Sequence, residues 1–174
     1  MINVAKRVVV ISSSPRKGGN SDIMCDEFVK GAIDGGNTAT KYFLEDIEFE
    51  SCKACYACKT PQRECFQDDK ISLILDDMME ADVIVYATPV YYYSMCGTLK
   101  MFFDRCYPVF RYLEDKDYYI ITAAGSSNGD ALKGIRDFIG FSKNPTEKDV
   151  FSAFGDVKNQ NDLLEKVYNA GKNC

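Results

Sequence analysis

"RVVVIS" (7–12) and "DVIVYAT" (82–88) are runs in which every residue after the first is uncharged. A strand that reads as an unbroken apolar run, without polar alternation, is buried on both faces. Such strands belong to parallel sheets covered by helices on each side. Weaker runs of the same kind are "TATKYFLE" (38–45), "DYYIITA" (117–123) and "VFSAF" (150–154). Between the runs, apolar residues three and four apart mark helix faces. They are Met24, Phe28 and Ala32; Ile71, Ile74, Leu75 and Met78; Leu99, Phe102, Phe103 and Cys106; Leu132, Ile135 and Ile139; and Leu163, Leu164 and Val167. The β-α alternation runs five times over with no internal repeat. It predicts an α/β fold, one domain over 1–174, in which a five-stranded parallel sheet is the middle layer of a three-layer αβα sandwich. Right-handed crossovers at this length favour the strand order 2-1-3-4-5. Ligands of such sheets bind beyond the carboxyl ends of the strands, at the switch between the first and third.

Composition narrows the chemistry. The chain is 46% apolar, which suits one core, and its formal net charge of −5 without a basic run argues against nucleic-acid binding. Lys6 and Arg7 precede only four apolar residues, 8–11, too few for a secretion-signal core. The longest charge-free run, 83–99, is broken by Pro89, Ser94 and Gly97 and is a poor membrane span. The expected location is cytoplasmic and reducing, where eight cysteines are thiols, buried or ligating. Cys25, Cys96, Cys106 and Cys174 are scattered as small apolar residues are. The chain has no histidine, which removes Ser–His and Cys–His catalysis and any His-ligated metal.

The loops after three strands read as ligand-facing. "SSSPRKGGNSD" (12–22) combines hydroxyls, Arg16, Lys17 and two glycines with the start of a helix at Asn20 and Ser21. Helix N-termini receive phosphate readily, and hydroxyls and arginine add donors and charge. The loop has neither the G-x-x-x-x-G-K-[ST] nor the G-x-G-x-x-G fingerprint, so a terminal phosphate such as that of FMN fits better than ATP or a dinucleotide. The plain alternative is a solvated turn capped by Asn20 or Ser21. "TPVYYYSMCGTLK" (88–100) places Pro89, expected to redirect the chain, before Tyr91, Tyr92 and Tyr93. Three adjacent tyrosines cannot all face one core. Some line a pocket suited to a flat ring, or pack on a neighbouring helix or subunit. "TAAGSSNGD" (122–130) is built of small residues that let a planar ligand approach the backbone, or is simply a flexible turn.

With "SSSPRKGGNS", "ATPVYYYSMCGTLKMFFDR" and the cysteine stretch followed by "DD", the chain resembles the NADPH-dependent FMN reductase branch of the flavodoxin-like superfamily, and within it the iron–sulfur flavoproteins. The resemblance implies a flavodoxin-like sandwich that binds FMN and uses NAD(P)H. It puts Ser12, Ser14, Arg16, Asn20 and Ser21 at the FMN phosphate. Pro89, Val90, Tyr91, Tyr92 and Ser94 would flank the flavin, with the 123–126 backbone, including Ala124 and Gly125, near its edge. Ser13 stands where relatives often carry glycine. A homodimer or homotetramer is also implied, with "CYPVFRY" (106–112) on the third helix as candidate interface.

"SCKACYACKTPQREC" (51–65) spaces Cys52, Cys55, Cys58 and Cys65 as C-x2-C-x2-C-x6-C within a loop expected at about 46–70. Zinc sites usually pair cysteines a dozen or more residues apart. Three cysteines in successive x2 steps instead suit corners of a cubane, with a fourth from a short loop, so a [4Fe–4S] cluster is a candidate cofactor. Zinc, a disulfide, free thiols and a dithiol switch activated by Lys53, Lys59 and Arg63 stay open. The expected activity is FMN-dependent oxidoreduction, from a reduced nicotinamide or carrier protein to a quinone, flavin or protein acceptor. Two other readings stand beside it: an electron carrier without nicotinamide turnover, and a thiol- or metal-sensing protein that has lost FMN.

Overall fold

Strand β1 (Arg7–Ser12) has a parallel neighbour on each side, β2 (Thr38–Phe43) and β3 (Val83–Tyr91). β3 pairs in turn with β5 (Asp117–Ala124), and β5 with the edge strand β6 (Thr146–Phe154), all parallel. The short strand β4 (Ser94–Met95) folds back antiparallel on the end of β3. The order β2-β1-β3-β5-β6 is therefore the expected 2-1-3-4-5 with one small strand added off the path. This computed structural model describes residues 4–60 and 64–174.

The strand sequences explain the three layers. Val8 and Val10 point to one face and Val9 and Ile11 to the other, and all four are buried. The same alternation sorts Val83, Val85 and Ala87 from Ile84 and Tyr86. Helices α1 (Asn20–Asp34) and α5 (Asn161–Lys172) cover the first face, and α2 (Ile71–Glu80), α3 (Gly97–Arg105) and α4 (Ala131–Ile139) cover the second. Among the described residues no helix is long and apolar enough to cross a membrane.

Three local expectations are corrected. β6 begins at Thr146, ahead of the apolar run at 150–154, because an edge strand pairs on one side only and tolerates Glu147 and Lys148. Pro89 does not redirect the chain. β3 continues through it to Tyr91, beyond the last β1 pair at Ser12 and Ala87, where no β1 partner needs its missing N–H. The reversal comes at Tyr92 and Tyr93, both left-handed (φ 48° and 65°), which form the two-residue turn between Tyr91 and Ser94. The third helix ends at Arg105, so 106–112 forms a turn and the short 3-10 segment Phe110–Tyr112.

The second core layer contains a defect. Tyr86 is fully buried, with Phe103 edge-on at 5.1 Å and Tyr118 stacked at 6.0 Å, and its hydroxyl has no hydrogen-bond partner among the described residues. Burial pushes this phenol well above the ordinary tyrosine range. A buried hydroxyl without a partner is destabilising. Tyr86→Phe should therefore raise stability by about 1 kcal/mol in urea denaturation at neutral pH. The unfolded chain ionises this phenol near pH 10 while the folded one resists, so the wild type loses stability as pH rises past that point and the advantage of the variant widens. A constant difference between pH 8 and 11 would contradict this account.

Candidate active site

Loop 13–19 leaves β1 and enters α1. Ser13 donates its N–H to the Ala87 carbonyl at 3.0 Å and its Oγ to the same oxygen at 2.7 Å. The serine that stands where glycine was anticipated thus ties the ends of β1 and β3 together. Ser14 Oγ accepts from the Arg16 N–H at 3.3 Å and donates to the Arg16 carbonyl at 2.8 Å, closing a tight turn. A Cβ on Gly19 would lie 2.8 Å from Ser14 Oγ and 3.1 Å from the Arg16 carbonyl oxygen, so a side chain there would displace the Ser14 hydroxyl from this turn. Gly18 adopts φ +69° and donates its N–H to Asp22 Oδ2 at 2.9 Å.

Asp22, only 2% exposed, organises the loop from beneath. Besides Gly18 it accepts from Ser12 Oγ at 2.8 Å and from Lys41 Nζ at 3.0 Å. Burial acts to lower Lys41, but hydrogen bonds to Asp26 and Asp22 hold it above the ordinary lysine range. Three of the expected phosphate ligands thus have their side chains engaged within the protein, Ser14 in its own turn and Ser12 and Asn20 with other elements. The Ser12 hydroxyl faces Asp22, and the Asn20 amide donates to the Gly155 carbonyl at 2.6 Å while its Oδ1 accepts from the Val157 N–H at 3.3 Å. Other donors stay available at the mouth of the loop. Arg16 is exposed and pairs with no described carboxylate. Ser21 is 1% exposed, and its Oγ has no partner among the described residues. The first N–H groups of α1 have no carbonyl within the helix to bond.

The β3–β4 hairpin stands beside this loop. Thr88 Oγ1 accepts from the Cys96 N–H at 3.0 Å and donates to the Pro89 carbonyl at 2.8 Å, fixing both legs. Pro89 and Val90 are half-buried, while Tyr91, Tyr92, Tyr93 and Ser94 are exposed. None of the three tyrosines enters the core. Two consecutive tyrosines at positive φ cost about 1–2 kcal/mol each, strain of the sort found at ligand-facing turns. The third loop packs on the hairpin: the Asp130 N–H donates to the Tyr93 carbonyl at 2.6 Å, and left-handed Gly129 (φ +49°) lies too close to Tyr93 for any side chain. Asn128 anchors that loop, accepting from Thr122 Oγ1 at 2.8 Å and donating to Ser152 Oγ at 2.9 Å. Ala124 is half-buried, and nothing lies within 4 Å of where a Cβ on Gly125 would stand. The three loops thus open at one end of the sheet.

The cysteine stretch follows β2 at the same end. Cys52 and Cys55 are exposed and Cys58 and Cys65 half-buried, and all four are free thiols. Among the described residues no three metal-binding side chains are gathered closely enough to hold an ion. The loop is nonetheless curled at the cysteines: Ala54 and Tyr56 are left-handed (φ 52° and 60°), and the Ala54 N–H approaches Cys52 Sγ at 3.4 Å. The expected lowering of thiol pKa does not hold for Cys58. Burial pushes it up, with Cys65, Cys52 and Cys55 adding to the effect. The nearby cations are engaged: Lys53 pairs with Glu50 at 2.7 Å, and Lys59 sits over the Tyr56 ring at 4.1 Å. Arg63 lies outside the described residues.

Residues 6–139 match the NADPH-dependent FMN reductase family. The chain belongs to that family. It is 31% identical over 183 residues to an iron–sulfur flavoprotein of Methanocaldococcus jannaschii, covering 95% of this chain and 94% of that one. It is 34% identical over 133 residues to an iron–sulfur flavoprotein of Methanosarcina thermophila, covering 75% of this chain and 69% of that one. Among solved structures, an NAD(P)H:quinone oxidoreductase from Methanothermobacter marburgensis superposes with a TM-score of 0.74 at 16% identity, over 98% of this chain and 97% of that one. A flavodoxin from the domain Archaea gives 0.64 at 15% identity, over 96% and 94%. Those two likenesses show the flavodoxin-like fold. As a member of the FMN reductase family, the chain is an oxidoreductase.

Sequence reasoning passed over Asp22, Thr88 and Asn128, which position this family member's loops without facing outward. The signal for Asp22 was present: a carboxylate inside a glycine- and hydroxyl-rich loop, with Lys41 on the adjoining strand. Asp22→Asn removes the charge that three donors share, and should cost about 2 kcal/mol in chemical denaturation. Ser21→Ala, which removes a buried hydroxyl with no partner among the described residues, should instead raise stability by up to about 1 kcal/mol. Equal losses from the two would refute this division of roles.

Proposed function

We propose that the chain binds FMN beyond the carboxyl ends of β1, β3 and β5, and catalyses electron transfer from NAD(P)H to a quinone, flavin or protein acceptor. The observation that carries this reading is the donor set left at the start of α1. A buried Ser21 hydroxyl lies in the first turn of a helix that opens beside the cation Arg16, and neither has a partner among the described residues. This is the chemistry that holds a phosphate dianion. Ser14 shapes the cradle, while Pro89, Val90, Tyr91, Tyr92 and Ser94 offer one wall for a flat ring. The open backbone at Ala124 and Gly125 offers donors to its polar edge. When bound, FMN supplies hydride acceptance and stepwise single-electron release. The protein's part is to grip, orient and shield, which requires no histidine.

Fluorescence titration with FMN tests the cradle. Arg16→Gln and Ser21→Ala should each weaken binding about tenfold, the worth of one hydrogen bond to a charged group, with wild-type folding retained. Oxidation of NADPH or NADH with a quinone acceptor should then follow FMN loading. Failure of the wild type to take up FMN would sink the reading. Uptake without nicotinamide turnover would mark an electron carrier.

The family relatives' names, together with the cysteine loop, support a finer proposal: Cys52, Cys55, Cys58 and Cys65 hold a [4Fe–4S] cluster, which would supply one-electron chemistry. Four thiols are the right donor set, and the loop curls through left-handed Ala54 and Tyr56, with the Ala54 N–H 3.4 Å from Cys52 Sγ. We also propose that two copies of the chain meet at 106–112, where Tyr107, Tyr112 and the neighbouring Phe141 are exposed. Sedimentation should give a dimer or tetramer at micromolar concentration, and a monomer there would rule this out.

A further inference from the structure

Arg105 is the largest fully buried side chain among the described residues, with 1% of its side chain exposed. It closes the last turn of α3, and its guanidinium reaches both ends of the cysteine stretch. Nη1 donates to the Glu50 carbonyl at 2.9 Å and to Asp69 Oδ2 at 2.7 Å, and Nη2 donates to Asp69 Oδ1 at 3.0 Å. Glu50 lies just before Cys52 and Asp69 just after Cys65. Asp69 is itself tied to α2, accepting from the Ile71 N–H at 3.1 Å. One cation thus joins the entrance and exit of a long loop whose only regular element among the described residues is the 3-10 turn Ala57–Lys59.

The three bonds leave two of the five N–H groups over, one on Nη2 and the one on Nε. Arg105 Nε is buried and has no hydrogen-bond partner among the described residues. The Cys65 thiol lies close enough to act electrostatically on the guanidinium, and Gln67 Nε2 stands 4.0 Å from Cys65 Sγ. A buried N–H on a cation without an acceptor is destabilising, and the Cys65 sulfur is the acceptor its surroundings offer. At its other end α3 is held to the flavin-side hairpin by the Cys96 N–H, which donates to Thr88 Oγ1. The helix of nine residues is roughly 13 Å long and links the two loops as one rod.

We propose that Arg105 is the positioning residue of the cysteine loop: its fork clamps Glu50 to Asp69, and its Nε–H is the donor to sulfur at Cys65. The clamp stands on the geometry alone, while the sulfur contact rests on the reading of the four cysteines as cluster ligands. Lysine cannot replace the fork, since a point charge on a flexible stem does not hold two acceptors and a sulfur in fixed directions. An N–H aimed at a ligating sulfur stabilises the more negative, reduced state of a cluster and so raises its potential.

Three proteins test this: wild type, Arg105→Lys, and Arg105→Met combined with Asp69→Asn so that no unpaired carboxylate is left behind. Limited trypsin digestion of the metal-free proteins, read at Lys53 and Lys59, reports the clamp. The double variant should be cut at least about tenfold faster, and Arg105→Lys about fivefold faster, because local opening rises when the anchor is lost. A rate within twofold of wild type in the double variant overturns the clamp, and Arg105→Lys decides by the same limit if the double variant does not fold. Anaerobic reconstitution with iron and sulfide, followed by a redox titration read by electron paramagnetic resonance, reports the sulfur contact. At the wild-type midpoint the reduced-to-oxidised ratio of Arg105→Lys should fall about tenfold, equivalent to ~59 mV for one electron. A ratio within twofold of wild type overturns the contact. Wild-type protein holding less than one iron per chain overturns the cluster reading and the sulfur contact with it, while the digestion rates still decide the clamp.

Discussion

The pairing of β1 with β2 on one side and β3 on the other is the constraint from which the rest follows. Because the chain leaves β1 for one neighbour and later returns to the other, α1 and α2 must lie on opposite faces of the sheet. Their first turns and the loops before them diverge at the carboxyl end of β1, opening a crevice there. Helix α1 then directs its unpaired N–H groups into that crevice. The apolar sequence of β1 enforces this arrangement. Val8 and Val10 need one covering layer and Val9 and Ile11 another, so the strand cannot sit at an edge.

Sequence patterning revealed the elements whose physics is local. Uncharged runs disclosed β1 and β3, and 3.6-residue periodicity disclosed the helices. It missed the first half of β6, since Thr146, Glu147 and Lys148 read as loop unless one knows that the strand is at an edge. It assigned the chain reversal to Pro89, whereas Tyr92 and Tyr93 carry it at φ values their side chains disfavour. That turn breaks the local rule that calls for Asn-Gly. Places where local preference and fold disagree tend to be functional ones, and this hairpin faces the proposed flavin site.

Site residues were legible by type more than by task. Arg16 and Ser21 keep donors free for the proposed phosphate cradle, whereas the side chains of Ser12, Ser14 and Asn20 bond within the protein. Such a division is invisible in sequence, because a serine hydroxyl donates equally well to a phosphate or to Asp22. The buried carboxylate also limits what the cradle can bind by charge alone. Asp22 is matched by Lys41, itself shared with Asp26. The net positive character of the loop therefore comes from Arg16 and the helix end, and not from the buried lysine.

Three buried polar side-chain atoms lack partners among the described residues: Ser21 Oγ, Arg105 Nε and Tyr86 Oη. Their settings differ. Tyr86 is enclosed by aromatic rings, so its hydroxyl is a cost that burial of the ring outweighs. Ser21 and Arg105 instead border the two loops proposed to hold cofactors, one at a helix N-terminus and the other near a cysteine sulfur. Donors of this kind weaken the protein by itself, and the loss is offset only when an anion arrives. A chain that retains two of them, one beside each loop, is preorganised for charge it does not itself contain, which is the physical content of reading it as a cofactor-dependent enzyme.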